Sequence, residues 1–150
     1  MIKFSKLADY AVVVLSALHH NEGIMMSASE LSQGTRLPEP TVAKVLKLLA
    51  KGNLVTSVRG AQGGYKVAHD ASALKIADIV IAVDGPVSLT ACVESGTNDC
   101  EYSCSCPVKG RWDLVNNAVK SALESITLAD MIARPILEGN EKTLKTERVS

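Results

Sequence analysis

Apolar residues follow helical spacing at the start of the chain. Between Lys6 and His20 they recur every three or four positions, and Ser5 stands where an N-terminal cap is expected. Ser27 and Glu30 have the spacing of a capping box, which predicts a second, short helix that ends near Gly34. Two helices joined by a short connection are therefore expected at the start of the fold.

The pattern continues with a third helix and a hairpin. Pro40 suits the first turn of a helix that carries apolar residues at helical spacing and stops at Gly52. Two short apolar segments, Leu54 to Val58 and Tyr65 to Ala68, are joined by a glycine-rich tip and predict an antiparallel hairpin. Three helices followed by a hairpin predict a winged helix-turn-helix.

The second half of the chain is predicted to contain a connecting helix, a loop and a long helix. The connecting helix should run from about Leu74 to Val83 and be broken by Asp84, Gly85 and Pro86. In the long helix, apolar residues step alternately by three and four, as in a coiled coil, and one helix alone leaves such a stripe uncovered. We therefore expect a dimer interface at Trp112, Val115, Val119, Ala122 and Ile126. Thr127 and Asp130 have the spacing to cap one last short helix after Ile126.

These elements predict a mostly α fold with a small β-hairpin wing, that is, a winged helix-turn-helix plus a long dimerisation helix. Four regions follow from them. They are a winged helix-turn-helix DNA-binding region (1–70), a connecting helix with a cysteine-rich binding loop (71–107), the dimerisation helix with a short helix (108–135) and a polar tail (136–150).

Charge is distributed unevenly along a chain of one-domain length. The 150 residues carry no net charge, yet residues 36–66 hold six basic side chains and one acidic one. Every formal charge between residues 76 and 108 is negative. No apolar stretch reaches transmembrane length, so we expect a reduced, cytoplasmic protein with no membrane partner. Two surfaces of opposite charge indicate two different binding partners.

The basic segment coincides with the third helix and the wing. A helix-turn-helix presents the N-terminal part of its second helix to the major groove of double-stranded DNA, which makes Glu39, Thr41 and Lys44 candidates for base contacts. Lys47 lies further along and suits phosphate contacts. At the wing, Arg59 can reach a minor groove, and the backbone can approach DNA closely at Gly60, Gly63 and Gly64.

All four cysteines, Cys92, Cys100, Cys104 and Cys106, fall within fifteen residues. In a reduced compartment such clustering is typical of a metal or redox site. The gaps are not the paired two-residue spacing of structural zinc sites, and a loop whose cysteines are mostly far apart can wrap a larger inorganic cluster. Zinc, a thiol-disulfide switch and a thiol oxidoreductase using Cys104 and Cys106 remain alternatives. The enzyme is disfavoured because no flanking base is identifiable and the basic winged helix would be unexplained.

Four segments carry a resemblance to a known family. They are Ser5 to Ala11, Leu37 to Lys47, Val58 to Tyr65, and the cysteine-rich loop that ends Cys-Pro-Val-Lys-Gly-Arg-Trp at position 112. In them the chain resembles the IscR/NsrR-type winged-helix iron-sulfur regulators over about residues 2–132, and it is most similar to the SUF-system regulators of iron-sulfur cluster assembly. The resemblance implies a homodimeric repressor of transcription that binds operator DNA and carries a 2Fe-2S or 4Fe-4S cluster. Nitric oxide or thiol redox state are alternative signals for the same fold.

The resemblance also implies a set of ligands. Cys92, Cys100 and Cys106 correspond to the family's ligand cysteines, whereas Cys104 lies outside that pattern. Lys109 occupies the position of a histidine ligand, and an ammonium group cannot ligate iron. Asp9 is the candidate fourth ligand, contributed from the partner subunit, unless it only stabilises the first turn of its helix.

Overall fold

The computed structural model describes residues 2–93, 96, 99–102 and 104–133. Within them the chain forms six helices and one two-stranded hairpin. The helices are α1 (Lys6–His20), α2 (Ala28–Thr35), α3 (Glu39–Lys51), α4 (Ile76–Asp84), α5 (Trp112–Glu124) and α6 (Leu128–Ile132), and the strands are β1 (Val55–Val58) and β2 (Gly64–Val67). The predicted mostly α fold with a β-hairpin wing is confirmed. The predicted polar tail, residues 136–150, lies outside the described residues.

Local capping determines where the first two helices begin. The Ser5 side chain accepts a hydrogen bond from the Ala8 backbone N–H at the start of α1. At α2 the predicted capping box forms, with Glu30 N–H donating to Ser27 Oγ at 3.2 Å and Ser27 N–H donating to Glu30 Oε2 at 2.7 Å. The backbone N–H and hydroxyl of Ser27 hold the pKa of the Glu30 carboxyl below its usual range.

The core lies between α1, α2, α3 and the connections that follow them. Helix α1 packs against α2, α3 and α4, and it contributes fully buried side chains such as Val14 and Leu15. The apolar face of α3 supplies Val42, Val45, Leu46 and Leu49, as its spacing predicts. Leu31 provides the buried side chain of α2. This core places α3 with one face against the domain and the other in solvent.

The wing is an antiparallel hairpin in which Val55 pairs with Val67 and Val58 pairs with Gly64. It is attached to the helices by Met26, whose backbone exchanges hydrogen bonds of 2.8 and 2.9 Å with Tyr65. A Cβ atom at Gly64 would lie 2.8 Å from the Met26 carbonyl oxygen, and φ at Gly64 is +151°. Glycine is therefore required where the wing meets the segment before α2.

Helix α4 has no side-chain cap of its own. Its N-cap residue is Lys75, and the free N–H of Ile76 is instead accepted by the carbonyl of Ile126 at 2.9 Å. On the other side of the Lys75–Thr127 pair, the Leu128 N–H donates to the Leu74 carbonyl at 2.7 Å. The start of α6 thus forms a short antiparallel bridge with the start of α4, and this bridge fixes the C-terminal end of α5 to the winged domain.

We expect Leu128→Ala to lower the free energy of unfolding by about 2–5 kcal/mol, because the Leu128 side chain is fully buried in the core and its loss leaves a cavity. Urea unfolding at a fixed protein concentration measures the change. Met131→Ala, an exposed position of the same helix, serves as the control and should change the value by less than about 0.5 kcal/mol. Equal effects of the two substitutions would contradict the role given to Leu128.

Candidate functional site

The exposed face of α3 is basic. Lys44, Lys47 and Lys51 are exposed and lie on one side of the helix, opposite the buried Val42 and Val45. Because residues three, four and seven apart share a helix face, the three ammonium groups form one stripe. This stripe can bind a polyanion without changing the packing of the domain.

The turn before α3 is held by side chain to backbone contacts. Ser32 Oγ donates to the Leu37 carbonyl at 2.6 Å, and Thr35 Oγ1 donates to the Leu31 carbonyl at 2.6 Å. Arg36 has φ of +61°, in the left-handed region that side chains other than glycine seldom adopt. These contacts set the angle at which α3 leaves α2. They leave Glu39 exposed and Thr41 half-buried at the N-terminal end of α3.

The wing tip lies in solvent. Arg59 and Gly60 are exposed, whereas Gly63 and Gly64 are half-buried. Gly60 has φ of +118°, and a Cβ atom at Gly63 would lie 2.1 Å from the Val58 carbonyl oxygen. The glycines of the tip are thus required by the hairpin itself, and the turn they make presents Arg59 outward.

The four cysteines differ in exposure, and none forms a disulfide. Cys92, Cys100 and Cys106 are half-buried, whereas Cys104 is exposed. Over the described part of the chain, no three histidine, cysteine, aspartate or glutamate side chains are close enough to hold a metal ion. The structure therefore brings the cysteines onto one loop without gathering them around a common point.

The loop is packed where it begins. Val93 is fully buried, and Thr90 Oγ1 lies 3.3 Å from the Cys92 sulfur, at hydrogen-bond distance. A Cβ atom at Gly96 would lie 2.6 Å from the Ala91 carbonyl oxygen, so the chain turns back on itself just after Val93. Cys92 is thus the cysteine held by the structured base of the loop.

The N-terminus of α1 lies beside the end of α4. The Ser5 backbone N–H donates to Asp84 Oδ2 at 3.0 Å, and the Ser5 hydroxyl donates to the other carboxylate oxygen of Asp84. Asp9 lies in the first turn of α1 and is exposed. Asp9 is therefore free of the core, and the described residues do not bring it into a ligand group with the cysteines.

One residue of the site, Asn116, was not predicted from the sequence. Asn116 on α5 is buried, with 5% of its surface exposed. Its Nδ2 donates to the Val87 carbonyl at 3.0 Å, and its Oδ1 accepts from the Leu89 N–H at 3.0 Å. The available signal was a polar residue at helical spacing from Trp112 and Val119, since a buried amide needs partners.

Helix α5 packs on α4 and leaves an apolar face uncovered within the described chain. The exposed side chains of the predicted stripe include Trp112, Val115 and Ala122, whereas Val119 is half-buried. Ile126, also predicted to lie on this helix, is exposed but follows the end of α5 at Glu124, because its carbonyl pairs with the start of α4. Leu114, which the predicted stripe omits, is 77% exposed and is the most exposed large apolar side chain among the described residues. A helical wheel at 100° per residue places Leu114 beside Ala118 and Ala122, so the uncovered face is wider than a coiled-coil stripe.

Taken together, the tri-helical core, the hairpin wing and the basic exposed face of α3 define a winged helix-turn-helix protein of the DNA-binding class. Residues 4–134 match the sequence model of Rrf2, described as an iron-dependent transcriptional regulator, and the chain belongs to this family. Proteins of this family are DNA-binding regulators of transcription and not enzymes.

Two curated relatives and two solved structures illustrate the similarity. The HTH-type transcriptional regulator IscR of Yersinia enterocolitica is 32% identical over 133 residues, which cover 87% of this chain and 79% of the relative. IscR of Photorhabdus laumondii is 31% identical over the same length. Among solved structures, T. potens IscR is 30% identical with a TM-score of 0.60, covering 87% of this chain and 86% of its own. CymR of B. subtilis, a global cysteine regulator, is 29% identical with a TM-score of 0.65, covering 87% and 96%.

None of the helices within the described residues combines the length and the apolar character that a membrane span requires.

Proposed function

We propose that this chain is a homodimeric repressor that senses iron-sulfur cluster supply and controls cluster assembly genes of the SUF type. The observation that carries the proposal is the sorting of the cysteines. The three thiols at the ligand positions of the resembled family, Cys92, Cys100 and Cys106, are half-buried, and the extra Cys104 is exposed. A regulator of transcription with such a loop acts in the cytoplasm, where thiols stay reduced.

The donor set fits an iron-sulfur cluster by its chemistry. Thiolates are the usual ligands of such clusters, and the three cysteines belong to one loop short enough to fold around a common centre. When bound, a cluster supplies positive iron that holds the thiolates deprotonated and a redox-labile signal. The Thr90 hydroxyl lies 3.3 Å from the Cys92 sulfur and would donate to that sulfur as a thiolate, a contact that orients a ligand. The fourth ligand would be Asp9 of the partner subunit, since Lys109 has no lone pair to offer in its charged form.

The DNA contacts follow from the exposed face of α3 and the wing. We place Glu39, Thr41 and Lys44 against base edges, because the N-terminal part of this helix enters the major groove. Lys47 binds a phosphate and contributes affinity without sequence preference. Arg59 enters the neighbouring minor groove from the wing tip, with the backbone of Gly60, Gly63 and Gly64 close to the DNA.

The uncovered face of α5 binds the same face of a second copy of this chain. Trp112, Val115, Val119, Ala122 and Ile126 form this interface, and the exposure of Leu114 extends it. An exposed apolar side chain of this size is stabilised when a partner removes it from water. In the dimer the two α3 helices must meet half-sites about one helical turn of DNA apart, so a small change in the angle of α5 alters operator binding.

A second candidate is a thiol-responsive regulator without a cluster. Two observations favour it: the described cysteines are not gathered around one centre, and the similar B. subtilis CymR is named a global cysteine regulator. In this case either Cys104, which is exposed, or Cys106, which is half-buried, forms a disulfide with Cys92 or Cys100 on oxidation. A zinc-structured loop is a third possibility for the same fold. Metal and disulfide analysis separates the three.

We expect Lys47→Ala to weaken binding to all duplexes equally and to reduce the slope of log affinity against log salt by about 1, because one phosphate contact is lost.

Thr41→Ala should lower the binding free energy by about 1–3 kcal/mol on the DNA upstream of the protein's own gene and by much less on a mixed-sequence duplex. Fluorescence anisotropy at several salt concentrations measures both. Lys120→Ala, which removes the same charge from α5, is the control and should leave both affinities unchanged. Equal losses for Lys47→Ala and Lys120→Ala would contradict the proposed orientation on DNA.

We expect Leu114→Asp to raise the dimer dissociation constant at least about a hundredfold, because it buries an unpaired charge in an apolar interface. Sedimentation equilibrium measures the constant. Asn117→Asp adds the same charge on the polar side of α5 and should leave the dimer intact. A wild-type protein that is monomeric at micromolar concentration, or a Leu114→Asp protein that dimerises normally, would rule out this interface.

Anaerobic purification should yield a coloured protein with iron and sulfide in equal amounts. We expect Cys92→Ser, Cys100→Ser and Cys106→Ser each to lose most of the iron, because each removes a thiolate ligand. Cys104→Ser is the matched control and should retain it. Colourless protein with one zinc per chain would support the zinc alternative, and metal-free protein that forms a disulfide under mild oxidation would support the thiol switch. Either result would refute the cluster.

A further inference from the structure

Asn116 is the one buried polar side chain among the residues that the structure describes. Its amide binds two backbone groups: Nδ2 donates to the Val87 carbonyl, and Oδ1 accepts from the Leu89 N–H. Both belong to the segment that leaves α4 and enters the cysteine loop. A buried amide without partners is unfavourable, so these two contacts account for an asparagine at this position.

The other end of the loop runs directly into α5. Lys109 N–H donates to the Cys106 carbonyl at 3.3 Å, Arg111 N–H to the Val108 carbonyl at 3.0 Å, and Leu114 N–H to the Arg111 carbonyl at 3.3 Å. These successive turns connect Cys106 to the first turn of the helix. Asn116 lies one helical turn further along, so both ends of the segment from Thr90 to Arg111 meet the N-terminal half of α5.

We propose that Asn116 is a positioning residue that closes the base of the cysteine loop on α5, so that ordering of the loop is transmitted to the dimerisation helix. This inference rests on the proposed function, in which the loop is ordered around a cluster. With the base closed, drawing Cys92, Cys100 and Cys106 together pulls on α5 at both ends of the loop. When the contacts of Asn116 with Val87 and Leu89 are broken, the segment between α4 and the loop moves in place of α5. The free loop is then longer, and closing it is entropically less favourable.

The amide group suits this role chemically. The loop backbone offers one acceptor, at Val87, and one donor, at Leu89, and a neutral amide satisfies both with one side chain. A carboxylate would satisfy Leu89 but would face the Val87 carbonyl with a negative charge. An aliphatic side chain would satisfy neither. Asn117, its exposed neighbour on the same helix, carries the same amide group and provides a matched control.

The first test uses metal-free protein and measures amide hydrogen exchange. We expect Asn116→Ala to raise the exchange rate of the Leu89 amide by about tenfold or more, since that N–H loses its acceptor. Asn117→Ala should leave it unchanged. An unaltered Leu89 rate in Asn116→Ala would overturn the inference whatever the protein binds.

The second test separates transmission from stability. For each variant, DNA affinity is measured by anisotropy with and without a cluster reconstituted from iron and sulfide, and the ratio of the two constants is compared. We expect Asn116→Ala to bind the cluster yet to bring the ratio to within about twofold of 1, whereas Asn117→Ala keeps the wild-type ratio. A wild-type ratio in Asn116→Ala would show that Asn116 only stabilises the fold.

A variant that preserves shape covers the case in which Asn116→Ala does not fold. Asn116→Asp keeps the acceptor for Leu89 and loses the donor to Val87, so the ratio should fall below that of the wild type. An unchanged ratio in Asn116→Asp would overturn the proposal. If the unmodified protein itself gives a ratio of 1, the proposed sensing function is contradicted. The Leu89 exchange rate distinguishes this outcome from failure of the Asn116 inference.

Discussion

The attachment of α5 to α4 is the constraint on which the rest of the structure depends. Helix α5 presents an apolar face on one side and packs against the DNA-binding domain on the other, so it can transmit a signal only if its orientation relative to that domain is fixed. Two attachments fix this orientation. At one end, Leu128 is buried in the core and its N–H pairs with Leu74, and at the other end Asn116 binds the backbone of Val87 and Leu89. A tilt of α5 therefore strains the hydrogen bonds at one end of the helix or at the other.

The cysteine loop and the DNA-binding surface belong to different elements of the fold. The basic stripe of Lys44, Lys47 and Lys51 lies on α3, whereas the loop carries exposed carboxylates at Asp99 and Glu101. The carboxylates of the loop repel DNA phosphates. Carrying them on a different element from the basic stripe keeps these negative charges off the DNA-binding helix. Among the described residues, packed elements connect the two surfaces, from the loop to α5 and from α5 to α4 and the core. In the proposed function this route replaces any direct contact between the cysteines and DNA.

Prediction from sequence succeeded where a local rule decides the structure. The capping boxes of Ser27 with Glu30 and of Thr127 with Asp130 both form, because each needs only residues three apart. The hydrogen bonds of the Thr127 backbone and hydroxyl also hold the pKa of Asp130 below its usual range, as Ser27 does for Glu30. Helix α4 was placed less well, from Leu74 instead of Ile76. Its start is set by a carbonyl fifty residues away, and no local pattern records that partner.

The sequence by itself therefore determined the order of the elements, the face of α3 that is buried, the basic and acidic surfaces and the four clustered thiols, because periodicity, capping and charge are local properties. Only the tertiary structure decided that Cys104 is the exposed cysteine, that Leu114 widens the uncovered face of α5, and that Asn116 closes the base of the loop. Each of these depends on which distant segment packs against the residue. Burial and long-range hydrogen bonds arise from that packing, and the spacing of residues along one segment does not contain it.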